Sequence, residues 1–411
     1  MIVEMASGRL RGTATAFLGI PYASATRFEP PRPVPAWKGV RDAVAPGPAA
    51  PQPASRLERV MGPQQSHQAE DCLTLNVWRP VATGPRPVLV FLHGGGFATG
   101  SGGFDWYGGA VLAERGDMVV VTVNYRLGAM GYLHLPPVSQ GNLGLLDQLQ
   151  ALRWVRANIA AFGGDPQAVT VAGQSGGALS ILALLPAGEA DGLFRRAILQ
   201  SAPAGMPPQP PERAVELGRT YLELLDLAPA EAGRLRDLPV ATLLAAQREL
   251  ARITAGPGLA PPFQLVADGE LVAADLVHEA GTRAGPLDIL MGTTRDEAAA
   301  FFDLSEASER ITDTMFVDPM LRLTRLRAER GNPVWLYRFD WHPAGSPYGA
   351  CHCIELAFVF GDPAAWRQAP MLRGEMPPSL VAEVQRAWSL FVHGGDPGWE
   401  RWPASAHHFV A

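Results

Sequence analysis

Val169-Thr170-Val171-Ala172-Gly173-Gln174-Ser175-Gly176-Gly177-Ala178 is the stretch that decides the reading of this chain. A β-branched run ends in Gly-x-Ser-x-Gly and passes at once into an apolar helical pattern, Ala178 to Leu185. Such a strand–turn–helix lifts a serine Oγ clear of a parallel sheet. Gly173 and Gly177 stand two residues either side of the serine, where any Cβ would collide as strand and helix close. Gly176 lets the backbone after the serine approach a substrate oxygen. The helix then directs its free N–H groups and positive dipole end at that oxygen. The five-residue pattern alone is weak, because Gly and Ser are common. Its place between strand and helix gives it weight.

Composition sets the bounds. The 411 residues, 47% hydrophobic and 18% charged, describe a globular protein with a large core. Net charge is −6, and Lys38 is the only lysine. With no basic cluster, nucleic acid and anionic membranes are not expected as partners. Met1-Ile2-Val3-Glu4-Met5 shows no signal-peptide pattern, and no apolar run is long enough to span a bilayer. Three cysteines, Cys72, Cys351 and Cys353, make no disulfide framework. A cytoplasmic protein with reduced thiols is expected.

Outward from the serine, the pattern is strand–helix–strand. Residues 2–12 predict a hairpin turning at Ser7-Gly8, and the Pro-rich stretch 30–65 predicts surface coil. Leu73–Arg79, Pro87–Leu92, Met118–Asn124, Arg196–Gln200, Asp288–Met291 and Val334–Phe339 read as strands. Leu143–Ile159 and Leu380–Phe391 read as helices, the second stopped at Gly394-Gly395. Residues 203–262 predict a helical insertion walling a pocket, within a single domain spanning 1–411. The class is α/β, a mostly parallel sheet flanked by helices.

A serine is a weak nucleophile unless a histidine takes its proton and a carboxylate orients that histidine. Catalysts collect at the carboxyl ends of the strands. Glu297 follows the Asp288–Met291 strand, with Asp296 beside it, and His352 lies in the loop after the next strand. The triple glycine Gly94-Gly95-Gly96, straight after a buried strand, offers unshielded N–H groups. Gly95 and Gly96 with Gly176 would form an oxyanion hole.

Taken together, Phe17–Ala23, Arg27–Pro31, Glu70–Trp78, Val88–Phe97, Asn124–Gly128, Gly141–Gly177, Gly292–Glu297 and Gly349–Leu356 resemble the type-B carboxylesterase/cholinesterase family of α/β-hydrolases, in the family's order. The resemblance implies an α/β-hydrolase fold with Ser175 as nucleophile, Glu297 rather than Asp296 as acid, and His352 as base. It assigns the oxyanion donors to Gly95, Gly96 and Gly176. It also implies two structural ion pairs, Arg27 with Glu70 and Arg126 with Asp147. Three departures stand out. Ala50 replaces the cysteine that the family often bridges to the one matching Cys72, so Cys72 is expected free. Gly62 replaces the tryptophan with which cholinesterases hold choline. Only 55 residues separate Glu297 from His352, about half the family's usual spacing, so a shallower and more open site is expected.

The expected function is a serine carboxylesterase acting on small to medium, short-acyl esters through an acyl-enzyme. It needs no cofactor and no metal, since Cys351-His352-Cys353 has no second ligand pair. The expected partner is a small-molecule ester, with the protein a monomer or homodimer. Two alternatives stand beside it: a non-catalytic binding or adhesion module on the same fold, and amide or carbamate hydrolysis by the same triad. Phe97, Trp106 and Tyr107 are candidate pocket residues. Glu355 is either a loop anchor or a surface carboxylate.

Overall fold

The computed structural model describes residues 1–410 except 82–83, 257–258, 284 and 395. Nine strands form the main sheet: β1 (Ala16–Pro21), β2 (Thr74–Trp78), β3 (Arg86–Leu92), β4 (Val119–Val123), β5 (Gly164–Gln174), β6 (Arg196–Gln200), β7 (Asp288–Thr294), β8 (Trp335–Phe339) and β9 (His407–Phe409). Their spatial order is β1-β2-β4-β3-β5-β6-β7-β8-β9. β1 and β2 pair antiparallel, as do β2 and β4; every other pair is parallel. The strand that ends at the serine therefore lies at the centre of the nine-stranded sheet, flanked by parallel neighbours on both sides. The architecture is the α/β-hydrolase fold expected above.

Alternation along the strands divides the core between two faces. Val88, Val90 and Leu92 of β3 join one apolar cluster, with Leu145, Leu149 and Leu152 of α1 (Leu143–Asn158) and Ile181 of α2 (Gly176–Leu184). Leu89 and Phe91 join the other, on the opposite face, with residues of α7 (Ile354–Phe360) and α8 (Pro378–Val392). Between them, α3 (Pro211–Glu223), α4 (Val240–Ile253), α5 (Glu306–Thr312) and α6 (Asp318–Glu329) complete the helices used below.

Three expectations need adjustment. The N-terminal hairpin turns one residue earlier, because Met5 pairs with Gly8. The indole of Trp37 lies where a Gly8 side chain would project, 2.4 Å from its Cβ position. The Pro-rich stretch is largely coil, but Ala43, Ala49, Ala50, Leu57, Val60 and Met61 are buried. Residues 203–262 do contain α3 and α4, but these pack on 128–135: α3 against His134–Leu135, and Gln247 of α4 accepting the Ala129 N–H at 2.9 Å. The stop at Gly394 follows α8, whereas Gly395 lies outside the described residues.

Candidate active site

β5 ends at Gln174, α2 begins at Gly176, and Ser175 between them has φ 55°, ψ −123°. A non-glycine residue held there costs about 1–3 kcal/mol, offset by its surroundings. Ser175 N–H donates to Gln200 O of β6 (2.9 Å), and Ser175 O accepts from Leu179 N–H (2.9 Å). The flanking glycines make the turn sterically feasible. A Cβ on Gly173 would lie 2.7 Å from the Gly177 carbonyl carbon, and one on Gly177 would lie 2.1 Å from Leu92 O. At these two glycines β3, β5 and α2 thus meet backbone to backbone.

The loop after β3 approaches the same turn. Gly95 has φ 110° and Gly96 φ 59°; Gly95 O accepts from Ala98 N–H and Thr99 N–H, both at 3.1 Å. A Cβ position on Gly176 lies 3.4 Å from Gly96 N, so the expected oxyanion donors converge. Among the described residues, no backbone acceptor takes the N–H of Gly95, Gly96 or Gly176. Beneath the loop, His93 stacks on Tyr125 at 4.3 Å, its Nδ1 2.7 Å from Gly94 O. Burial pushes His93 down to about 4. It is neutral at neutral pH, and its Nδ1–H donates to that carbonyl, supporting the loop.

Opposite these backbone groups, β7 delivers Glu297 and the loop after β8 delivers His352. Both are fully buried. Glu297 Oε1 accepts from Thr294 N–H (2.8 Å), and Oε2 lies 2.5 Å from His352 Nδ1. Asp296 faces elsewhere: its carboxylate accepts from Ala350 N–H (2.8 Å) and pairs with Arg295 (2.9 Å). Asp296 therefore ties down the loop that carries His352, while Glu297 orients the ring.

Glu355 is buried, which excludes the surface reading. Its Oε1 accepts from Gln200 Nε2 (3.2 Å), whose own Oε1 accepts from the Trp388 indole N–H (3.2 Å). Burial, then the charge of Glu297, pushes its carboxyl up to about 7.

Two features had no signal in the sequence. First, no hydrogen bond joins Ser175 Oγ to His352; Gln174 Nε2 lies 3.0 Å from His352 Nε2 instead. Second, Phe301 and Phe316 pack on the imidazole at 5.6 and 5.3 Å. Phe316 belongs to a π-helical turn, Asp313–Val317, joining α5 to α6. The short Glu297–His352 segment therefore covers the His352 ring, contrary to the open site expected, and Ser175 is only 7% exposed.

A cavity of about 230 Å³ opens beside the glycine loop, lined among others by Gln52, Leu57, Met61, Gly95, Trp106, Tyr107, Gln174 and Cys353. Trp106 and Tyr107 line it as expected; Phe97 instead packs on Tyr132. Its outer wall comes from the Pro-rich stretch. On the other side, Leu182, Ala202, Ala204, Met291, Phe316 and Met320 enclose an apolar crevice of about 10 Å³. Among the described residues of the 203–262 segment, only Ala204 lines either cavity.

The model of the carboxylesterase family matches residues 1–310 and 302–408. The chain belongs to the carboxylesterase family. Among curated relatives, a probable N-octanoylanthranilate hydrolase of Rhodococcus erythropolis is 42% identical, over 95% of this chain and 92% of that protein. The para-nitrobenzyl esterase of Bacillus subtilis is 35% identical, over 98% and 92%. A solved PNB esterase superposes with a TM-score of 0.88 at 34% identity, covering 99% of this chain and 93% of that one. This carboxylesterase is accordingly an ester hydrolase acting on small-molecule esters.

The two ion pairs implied by the resemblance are present. Arg27 meets Glu70 at 2.5 Å and also donates to the Leu235 and Leu238 carbonyls. Arg126 meets the fully buried Asp147 at 2.7 Å. Cys72, Cys351 and Cys353 are all free and buried. Among the described residues no cluster suits a metal, and no helix is long and apolar enough to cross a membrane.

Proposed function

We propose that Ser175 attacks the ester carbonyl while His352, oriented by Glu297, takes its proton. The N–H groups of Gly95, Gly96 and Gly176 hold the oxyanion, each donor contributing about 2.7–4 kcal/mol. His352 then protonates the leaving alcohol, and water releases the acid by the same route. The observation that carries this reading is the buried Glu297–His352 contact at 2.5 Å beside a serine on a positive-φ turn. The protein would act as a monomer or homodimer, and the free buried thiols support a cytoplasmic setting.

One observation favours a second reading: the relative at 42% identity is named for an N-octanoylanthranilate, so cleavage of an N-acyl bond by the same residues belongs in the substrate panel. The test is hydrolysis of p-nitrophenyl esters from acetate to palmitate by wild type and Ser175→Ala. The expected result is a rate that peaks at short chains and falls by at least about a thousandfold in the variant. A folded wild type that hydrolyses none of them contradicts the proposal.

A further inference from the structure

His352 Nε2 has an occupant other than Ser175, and that occupant lines the larger cavity. We propose that Gln174 is a positioning residue that latches the base in the resting enzyme, and that a leaving group entering the cavity displaces its amide from Nε2. The inference rests on the reading of His352 as the base.

Glu297 accepts from Nδ1, so the proton of the neutral ring sits on Nδ1 and the lone pair on Nε2. That assignment orients the amide: Gln174 Nε2–H donates to the ring, 3.0 Å away, and Oε1 is left over. Gln174 is 1% exposed, its Oε1 meets no nitrogen or oxygen donor, and the Cys353 thiol lies against the same amide. A buried, unpaired carbonyl costs about 1–3 kcal/mol, so the amide gains by turning to meet a donor in the cavity. A lone pair already engaged cannot accept the Ser175 proton until it is vacated.

The leaving group must sit within hydrogen-bond reach of Nε2 to receive its proton, which is where the amide now lies. Gln174 lines the cavity together with Gly94, Gly95 and Cys353, and His352 does not, so the amide stands between the cavity and Nε2. At about 230 Å³ it has room for an aromatic ring, since a dry cavity of about 150 Å³ admits benzene. An ester with an aryl-sized leaving group fills the cavity and moves the amide, whereas an ethyl ester leaves it latched. The titratable groups around the ring are Glu297, Glu355, Cys351 and Cys353; Asp296 is turned toward Ala350, and Phe301 and Phe316 carry no charge.

The experiment is kcat/KM against pH for benzyl butyrate and ethyl butyrate, with wild type, Gln174→Met and Gln174→Asn. In Gln174→Met the benzyl-to-ethyl ratio falls about five- to tenfold, the size of one hydrogen bond, through a higher kcat on the ethyl ester. The acid limb of the profile moves to higher pH, because the freed lone pair binds a proton more readily. Gln174→Asn, whose arm falls short of the ring, gives the same two changes if methionine disturbs folding. Either quantity staying at its wild-type value in a folded variant overturns the proposal. A wild type that hydrolyses neither ester overturns instead the ester-hydrolase reading beneath it.

Discussion

Residues 86–184 and residues 288–360 meet over Ser175, and they are built in opposite ways. The first region works through backbone. Its glycines let β3, β5 and α2 close to contact distances that admit no Cβ, and the N–H groups of Gly95, Gly96 and Gly176 there have no backbone acceptor. The second works through side chains: buried Glu297 on His352, half-buried Asp296 on Ala350 and buried Glu355 on Gln200, with two phenyl rings as cover. A backbone site is set by sterics and is indifferent to pH. A buried carboxylate site depends on partners and protonation, so it is sensitive to charge in ways the first region is not.

The contrast is sharpest at the neighbours Asp296 and Glu297. Glu297→Gln keeps the shape and removes the charge that stabilises the imidazolium, so kcat should fall by about 10³–10⁴ with little change in melting temperature. Asp296→Asn should lower kcat less than about tenfold, in line with a role in the loop alone. Steady-state kinetics of the two variants decide this, and equal losses would erase the distinction between them.

Next in size is a change confined to the backbone region. Gly177→Ala sets a methyl group against Leu92 O at 2.1 Å and His93 O at 2.6 Å, neither of which can swing away. A loss of about 3 kcal/mol is expected from urea unfolding. A variant as stable as wild type would show that the strand–helix contact is looser than described.

The smallest effect belongs to Glu355. Its folded-state value of about 7 lies above the ordinary 4.5, so between these the folded protein binds more protons than the unfolded chain. Its contribution to stability falls as pH rises through this window and levels off above it. Glu355→Gln removes that term, so the variant should lose less melting temperature than wild type between pH 5 and pH 8. Identical losses would place the pH dependence elsewhere.

The same contrast governs how much was legible in the sequence. The elbow, the glycine loop and the central strands were readable because steric necessity selects residue type: only glycine fits beside Leu92 O, and only β-branched or apolar runs fill a strand buried on both faces. Glu297 and His352 were readable in identity and order, since they follow strands at the sheet's carboxyl edge. What they touch was not. Gln174 occupies the unconstrained position of Gly-x-Ser-x-Gly, and its contact with His352 spans 178 residues. No local pattern encodes that. Phe316 reaches the ring through a π-helical turn in the shortened segment, where spacing alone suggested exposure. The Pro-rich stretch read as surface coil because its composition forbids regular elements, yet irregular backbone can still form a cavity wall.

The most direct measurement of the central claim is mass spectrometry of enzyme quenched during turnover of p-nitrophenyl butyrate, with the modified peptide sequenced. The account predicts one butyryl group, carried on Ser175, absent from Ser175→Ala and reduced in His352→Ala. A butyryl group on another residue, or rapid turnover with none, would contradict it.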